Sequence, residues 1–121
     1  MRRGDPTRQT NVTEIRKGVF IDFEGFAGKP PSLLGILVED RFEQVLFDDG
    51  LRLAAEAKSL RQSTLDGEAQ RLVRICGRQA RCIFAFTRHE LNVFEEHTDL
   101  GDQVALVYRD AHKIAKRWFN R

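Results

Sequence analysis

Within the segment Gly18-Val19-Phe20-Ile21-Asp22-Phe23-Glu24-Gly25, two carboxylates stand one residue apart. Alternate side chains of an extended strand share a face, so Asp22 and Glu24 point the same way, about 6–7 Å apart along the backbone. Val19, Ile21 and Phe23 then take the opposite face. Phe20 joins the acidic one, so the strand reads as apolar on both sides until the acids begin. Like charges in such a place raise each other's pKa and oppose folding unless a cation compensates. Hard divalent ions such as Mg²⁺ or Mn²⁺ prefer carboxylate oxygens, and metal binding is the chemistry this pair points to. If the chain has already left the sheet at Gly25, both acids are simply solvated.

A chain of 121 residues with 41% hydrophobic content fits one compact domain with a single core, over residues 18–121. The formal net charge of +2 and a pI near 8.7 permit contact with a polyanion without requiring it. No apolar run is long enough to span a bilayer and no signal-peptide stretch opens the chain, which reads as cytoplasmic. Cys76 and Cys82 fit a reducing compartment, and their spacing matches no common zinc site. Residues 1–17 carry Arg2, Arg3, Arg8, Arg16 and Lys17 with few apolar positions and read as a flexible basic arm.

The elements that must position the acids follow from pattern and turns. Gly18 to Glu24 is the first strand and Gly25 to Pro31 a turn. Ser32 to Glu39 is a near-continuous apolar second strand, Asp40 and Arg41 a tight reversal, and Phe42 to Phe47 a third strand closed by Asp48-Asp49-Gly50. These short links make an antiparallel meander. Leu51, Ala54, Ala55 and Ala57 predict a short helix. Ala69, Leu72, Val73 and Cys76 predict a longer one, capped around Thr64 and Asp66 and stopped at Gly77. Arg81 to Thr87 reads as a buried fourth strand, parallel because a helix precedes it. Thr87 or Arg88 starts a helix carrying His89, Glu90, Leu91 and Phe94. Val104, Val107, Tyr108, Ala111, Ile114, Ala115 and Trp118 predict a C-terminal helix with one apolar stripe.

The resulting order, β-β-β-α-β-α-α, with an acid pair closing the first strand, resembles the α/β ribonuclease H-like fold and, within it, the DEDD-type exonucleases whose first motif is Asp-x-Glu. The chain is also similar to the ribonuclease H-like domains associated with RecB-type nucleases. There a phrase like Phe20-Ile21-Asp22-Phe23-Glu24-Gly25 opens the domain, and one like Pro31-Ser32-Leu33-Leu34-Gly35-Ile36 follows as strand two. The likeness covers about Gly18 to Trp118 in element order, and its specific part is the first motif. It implies a second acidic motif just after strand four, where Phe84-Ala85-Phe86-Thr87-Arg88-His89-Glu90 puts Glu90 as third ligand, without the Asn or Gly before Phe-Asp of the common form. It implies a last Asp preceded by His or Tyr. His97-Thr98-Asp99-Leu100-Gly101-Asp102 has the histidine offset, and Asp110 is the other candidate.

The function so implied is a Mg²⁺- or Mn²⁺-dependent nuclease of 3′–5′ exonuclease type, acting on DNA or RNA. Asp22 would bridge two metal ions with Glu24, Glu90 and Asp110 around them, polarising a scissile phosphate and stabilising the leaving 3′ oxygen. His89, with His97 and His112 as competitors, would position or deprotonate the attacking water. Each of these histidines is otherwise a surface or capping residue. Phe26 would stack on a base or pack at the strand end. Lys113, Lys116 and Arg117 would give weak electrostatic contact with nucleic acid. The alternative is a decayed module that kept the fold, lost the chemistry and binds nucleic acid or a protein partner; a structural domain of a fused partner is the third class.

Overall fold

The computed structural model describes residues 12–25, 30–47 and 60–119, the side chains of 117–119 excepted. A short helix, α1 (Val12–Arg16), leads into β1 (Val19–Glu24), β2 (Leu33–Val38), β3 (Arg41–Leu46) and the two-residue β4 (Arg61–Gln62). Then come α2 (Leu65–Gln79), β5 (Ile83–Ala85), α3 (His89–His97), α4 (Gly101–Val107), β6 (Tyr108–Asp110) and α5 (Ala111–Phe119). The six strands form one mixed sheet in the order β4-β3-β2-β1-β5-β6. β1, β2 and β3 are the expected antiparallel meander, and β5 runs parallel to β1 as the crossover requires. β4 and β6, parallel to β3 and β5, extend both edges.

One face of this sheet holds the core. Val19, Ile21 and Phe23 of β1, with Leu34, Ile36 and Val45, pack under Ala69, Leu72 and Cys76 of α2, Leu91 and Phe94 of α3, and Val104 of α4. Cys76 is inside this cluster, where burial pushes its thiol up to about 12 and keeps it protonated. No helix among the described residues is long and apolar enough to cross a membrane.

The structure departs from the sequence expectations at several boundaries. The first hairpin turns at Glu39–Asp40, so Arg41 is already in β3 opposite Val38. Glu39 takes the positive φ of 56° that this two-residue loop requires. Gly77 does not stop α2; the helix runs on to Gln79 and ends where Ala80 turns left-handed, φ 53° and ψ 47°, its N–H bonded to the Cys76 carbonyl. Thr64 caps the other end as expected, accepting the Gly67 N–H at 3.0 Å. The fourth strand is three residues, Ile83–Ala85. The single C-terminal helix is in fact α4 and α5 with β6 between them, because Tyr108 to Asp110 pair with Ile83 to Ala85. The helix read around Leu51 to Ala57 and the basic residues Arg2, Arg3 and Arg8 lie outside the described residues. Part of the segment read as an arm is α1.

Two polar devices tie the sheet to the helices. Arg81 donates to the Lys17 carbonyl at 2.8 Å and to Glu39 at 3.2 Å, joining the end of α1 to the β2–β3 turn. Glu68, 2% exposed on α2, accepts both Arg61 Nη atoms at 2.7 and 2.6 Å and Arg71 at 3.2 Å, and Glu43 of β3 bonds the same two arginines. Burial alone pushes the Glu68 carboxyl up. The bonds from Arg61 and Ser63 and the Arg71 charge outweigh burial and hold it below the usual glutamate range.

Replacing Ala80 by Gly removes a left-handed conformation that costs an L-residue about 1–2 kcal/mol. After the added chain entropy of glycine, the variant should gain roughly 0.5–1 kcal/mol, a rise of about 4 °C in thermal midpoint. An unchanged or lower midpoint would contradict the role given to Ala80. The Glu68 carboxyl is depressed in the folded state, so its contribution is present at neutral pH and disappears as pH falls below the ordinary value of 4.5. Glu68→Gln should therefore cost about 2 kcal/mol at pH 7 and flatten the acid side of the stability curve. Parallel acid limbs for the two proteins would show that the network adds nothing to acid sensitivity.

Candidate functional site

β1 is paired on both edges, and this fixes which way its acids point. Asp22 stands opposite Gly35 and Glu24 opposite Leu33 across the β1–β2 ladder, so both remain in the sheet. Val19, Ile21 and Phe23 are buried on the core side, leaving Asp22 and Glu24 exposed on the other face, as strand alternation demands. Glu90 comes from the first turn of α3, just beyond the end of β5, and is 7% exposed. Because β5 lies beside β1 and runs the same way, the three carboxylates line one cleft of about 430 Å³.

Apart from Gln44, the remaining walls of the cleft are apolar. Phe20 faces Leu37, and Leu37 faces Phe42, across successive ladders. On the parallel side Phe20 stacks on Phe84, with centroids 5.2 Å apart and rings inclined by 22°. Gly18 is required by this pair, since a Cβ there would stand 2.5 Å from the Phe84 ring. Phe42 and Phe86 are 63% and 68% exposed. The acids thus sit at one end of an open aromatic surface with Gln44 beside them.

Glu90 is held by its own turn. Thr87 Oγ1 donates to Glu90 Oε2 at 3.0 Å and accepts the His89 backbone N–H at 3.0 Å. Tyr108, fully buried on β6, donates its hydroxyl to the Thr87 carbonyl. Burial first, then the negative charges of Glu90 and Asp110, push the phenol well above the ordinary tyrosine range, so it keeps its proton. Neither Thr87 nor Tyr108 was among the sequence candidates. The Thr87-x-x-Glu90 spacing of a capping box was the available signal for the first.

The other candidates fall outside this cleft. Asp110 is buried at the end of β6, where Oδ1 accepts the Lys113 N–H at 3.2 Å and caps α5, and it does not line the cleft. Asp102 is exposed in the first turn of α4. His97 ends α3, seven residues and about 10 Å from Glu90 along the axis, with Glu96 at 3.9 Å. His89 and His112 are exposed and outside the lining. Lys113 and Lys116 are exposed on α5; the Arg117 side chain and Phe26 lie outside the described residues.

The donor set suits a hard cation, since Asp22, Glu24 and Glu90 offer only carboxylate oxygens at a solvent-open cleft. They line it without converging: among the described residues, no three His, Cys, Asp or Glu side chains are grouped closely enough to hold a metal ion. A cation would have to draw the exposed Asp22 and Glu24 toward Glu90. Comparison with family models, with curated proteins and with solved structures finds no match for this chain.

Proposed function

We propose that this domain is a ribonuclease H-like, divalent-metal-dependent phosphodiesterase of 3′–5′ exonuclease type, acting on DNA or RNA through Asp22, Glu24 and Glu90. One observation carries the reading: carboxylates from segments 66 residues apart in sequence, Glu24 and Glu90, line the same cleft. The antiparallel β1–β2–β3 meander with β5 and β6 added in parallel beside β1 supports it. Asp22 and Glu24 would hold Mg²⁺ or Mn²⁺ from β1 and Glu90 from α3. When bound, such ions neutralise charge on a scissile phosphate and on the leaving 3′ oxygen. Lys113 and Lys116 add weak attraction for the phosphate backbone from α5.

A second reading has its own observation. Asp110 is engaged in capping α5, and the carboxylates do not converge as they stand, which favours a non-catalytic module that binds nucleic acid or a protein partner.

Thermal melts with Mn²⁺ and cleavage of labelled single strands separate the two. At ten times the dissociation constant a ligand of the folded state adds about 1.4 kcal/mol, or roughly 5 °C in midpoint. The enzyme reading expects that shift in the wild type and its loss in Asp22→Asn. It also expects Asp22→Ala to abolish cleavage while salt-sensitive binding persists. Binding without cleavage on DNA and RNA, together with no metal-dependent shift at millimolar Mg²⁺ or Mn²⁺, would establish the module instead.

A further inference from the structure

We propose that Tyr108 and Thr87 form a two-residue relay that fixes the Glu90 carboxylate at the cleft, which makes Tyr108 a positioning residue for the metal-binding acids. The inference rests on the reading that those acids take a divalent cation.

Three features of the turn between β5 and α3 lead to it. Tyr108 is wholly buried beside β5, and a buried hydroxyl is costly unless bonded. Its hydroxyl bonds to the turn that carries Glu90, donating to the Thr87 carbonyl. The phenol therefore holds the chain three residues before Glu90.

Thr87 completes the relay with a single proton. Its Oγ1 accepts the His89 N–H, and its one O–H is directed to Glu90 Oε2. In an ordinary capping box the glutamate reaches back to a backbone N–H of the cap residue. Here it accepts from the hydroxyl instead, and Oε1 takes no part in that bond. A carboxylate tethered through one oxygen loses rotamer freedom before a cation arrives, as outer-shell partners do at metal sites. Tyr108 itself is not a base, because burial first and then the charges of Glu90 and Asp110 keep its proton in place.

The test is a Mn²⁺ titration of the full chain followed by thermal midpoint, giving a half-saturating concentration for wild type, Tyr108→Phe, Thr87→Val and the double variant. The relay expects each single variant to raise that concentration about tenfold. The double variant should be no worse than the weaker single, because both act through Glu90. If the variants melt lower by the same amount with and without Mn²⁺ and their half-saturation is unchanged, the hydroxyls serve the fold alone and the proposal is overturned. A wild type that does not respond to Mn²⁺ overturns the metal reading and the relay with it, before any variant is made. Should Tyr108→Phe lose cooperative melting, Thr87→Val, at an exposed position, decides by the same criterion.

Discussion

Everything at the cleft depends on the pairing of β1, with β2 along its whole length and with β5 at Val19 and Phe20. A strand paired on one side can twist or slip, and a one-residue slip would exchange its two faces. With β2 antiparallel along Val19 to Glu24 and β5 parallel beside Val19 and Phe20, the register is pinned. Ile21 and Phe23 must then point into the core, where Phe23 meets Phe94 of α3 edge to face with centroids 5.2 Å apart. The acidic pair has no freedom to turn inward, so the burial of three apolar side chains decides the orientation of two charged ones.

The parallel pairing of β5 has a second consequence. It brings the end of β5, and with it the first turn of α3, to the same end of the sheet as Asp22 and Glu24. Glu90 reaches the cleft only because the turn there is short and tightly bonded. β6 supplies that bonding from the far side of β5, so a three-residue strand at the sheet's edge governs a side chain two elements away. The Arg61–Glu68–Arg71–Glu43 network does the corresponding work at the opposite edge, tying β3 and β4 to α2.

What could be read from sequence was what repeats. The alternation in β1 and the spacing of Ala69, Leu72 and Cys76 each declare an element and its buried side, and both hold; the apolar run of β2 declares a strand without a side, and the structure buries Leu34 and Ile36 while exposing Leu37. Ends were less legible, since Gly77 looked like a stop yet sits inside α2 while Ala80, with no sequence cue, adopts the left-handed turn. The C-terminal stripe failed for a different reason. Tyr108 and Ala111 fit a helical period, but three residues are too few to show a strand's own period, and pairing with β5 outweighs local spacing there. At the site, the strand pair Asp22 and Glu24 was legible from alternation. Glu90 came from resemblance, and the support from Thr87 and Tyr108 is tertiary and leaves no pattern in the chain.

The cleft joins two surfaces that physical chemistry usually keeps apart. Phe20, Phe42 and Phe86 present apolar area to solvent, which raises the strength of any charge interaction at their border by thinning the local water. Asp22 and Glu24 stand at that border with like charge, and Glu90 is nearly buried beside them. An arrangement of this kind gains little for folding, since the rings would be more stable covered. Its cost is tolerable because the opposite face carries the whole core and the edges are clamped by arginine. A cation would relieve the repulsion, and a planar apolar ligand would cover the rings.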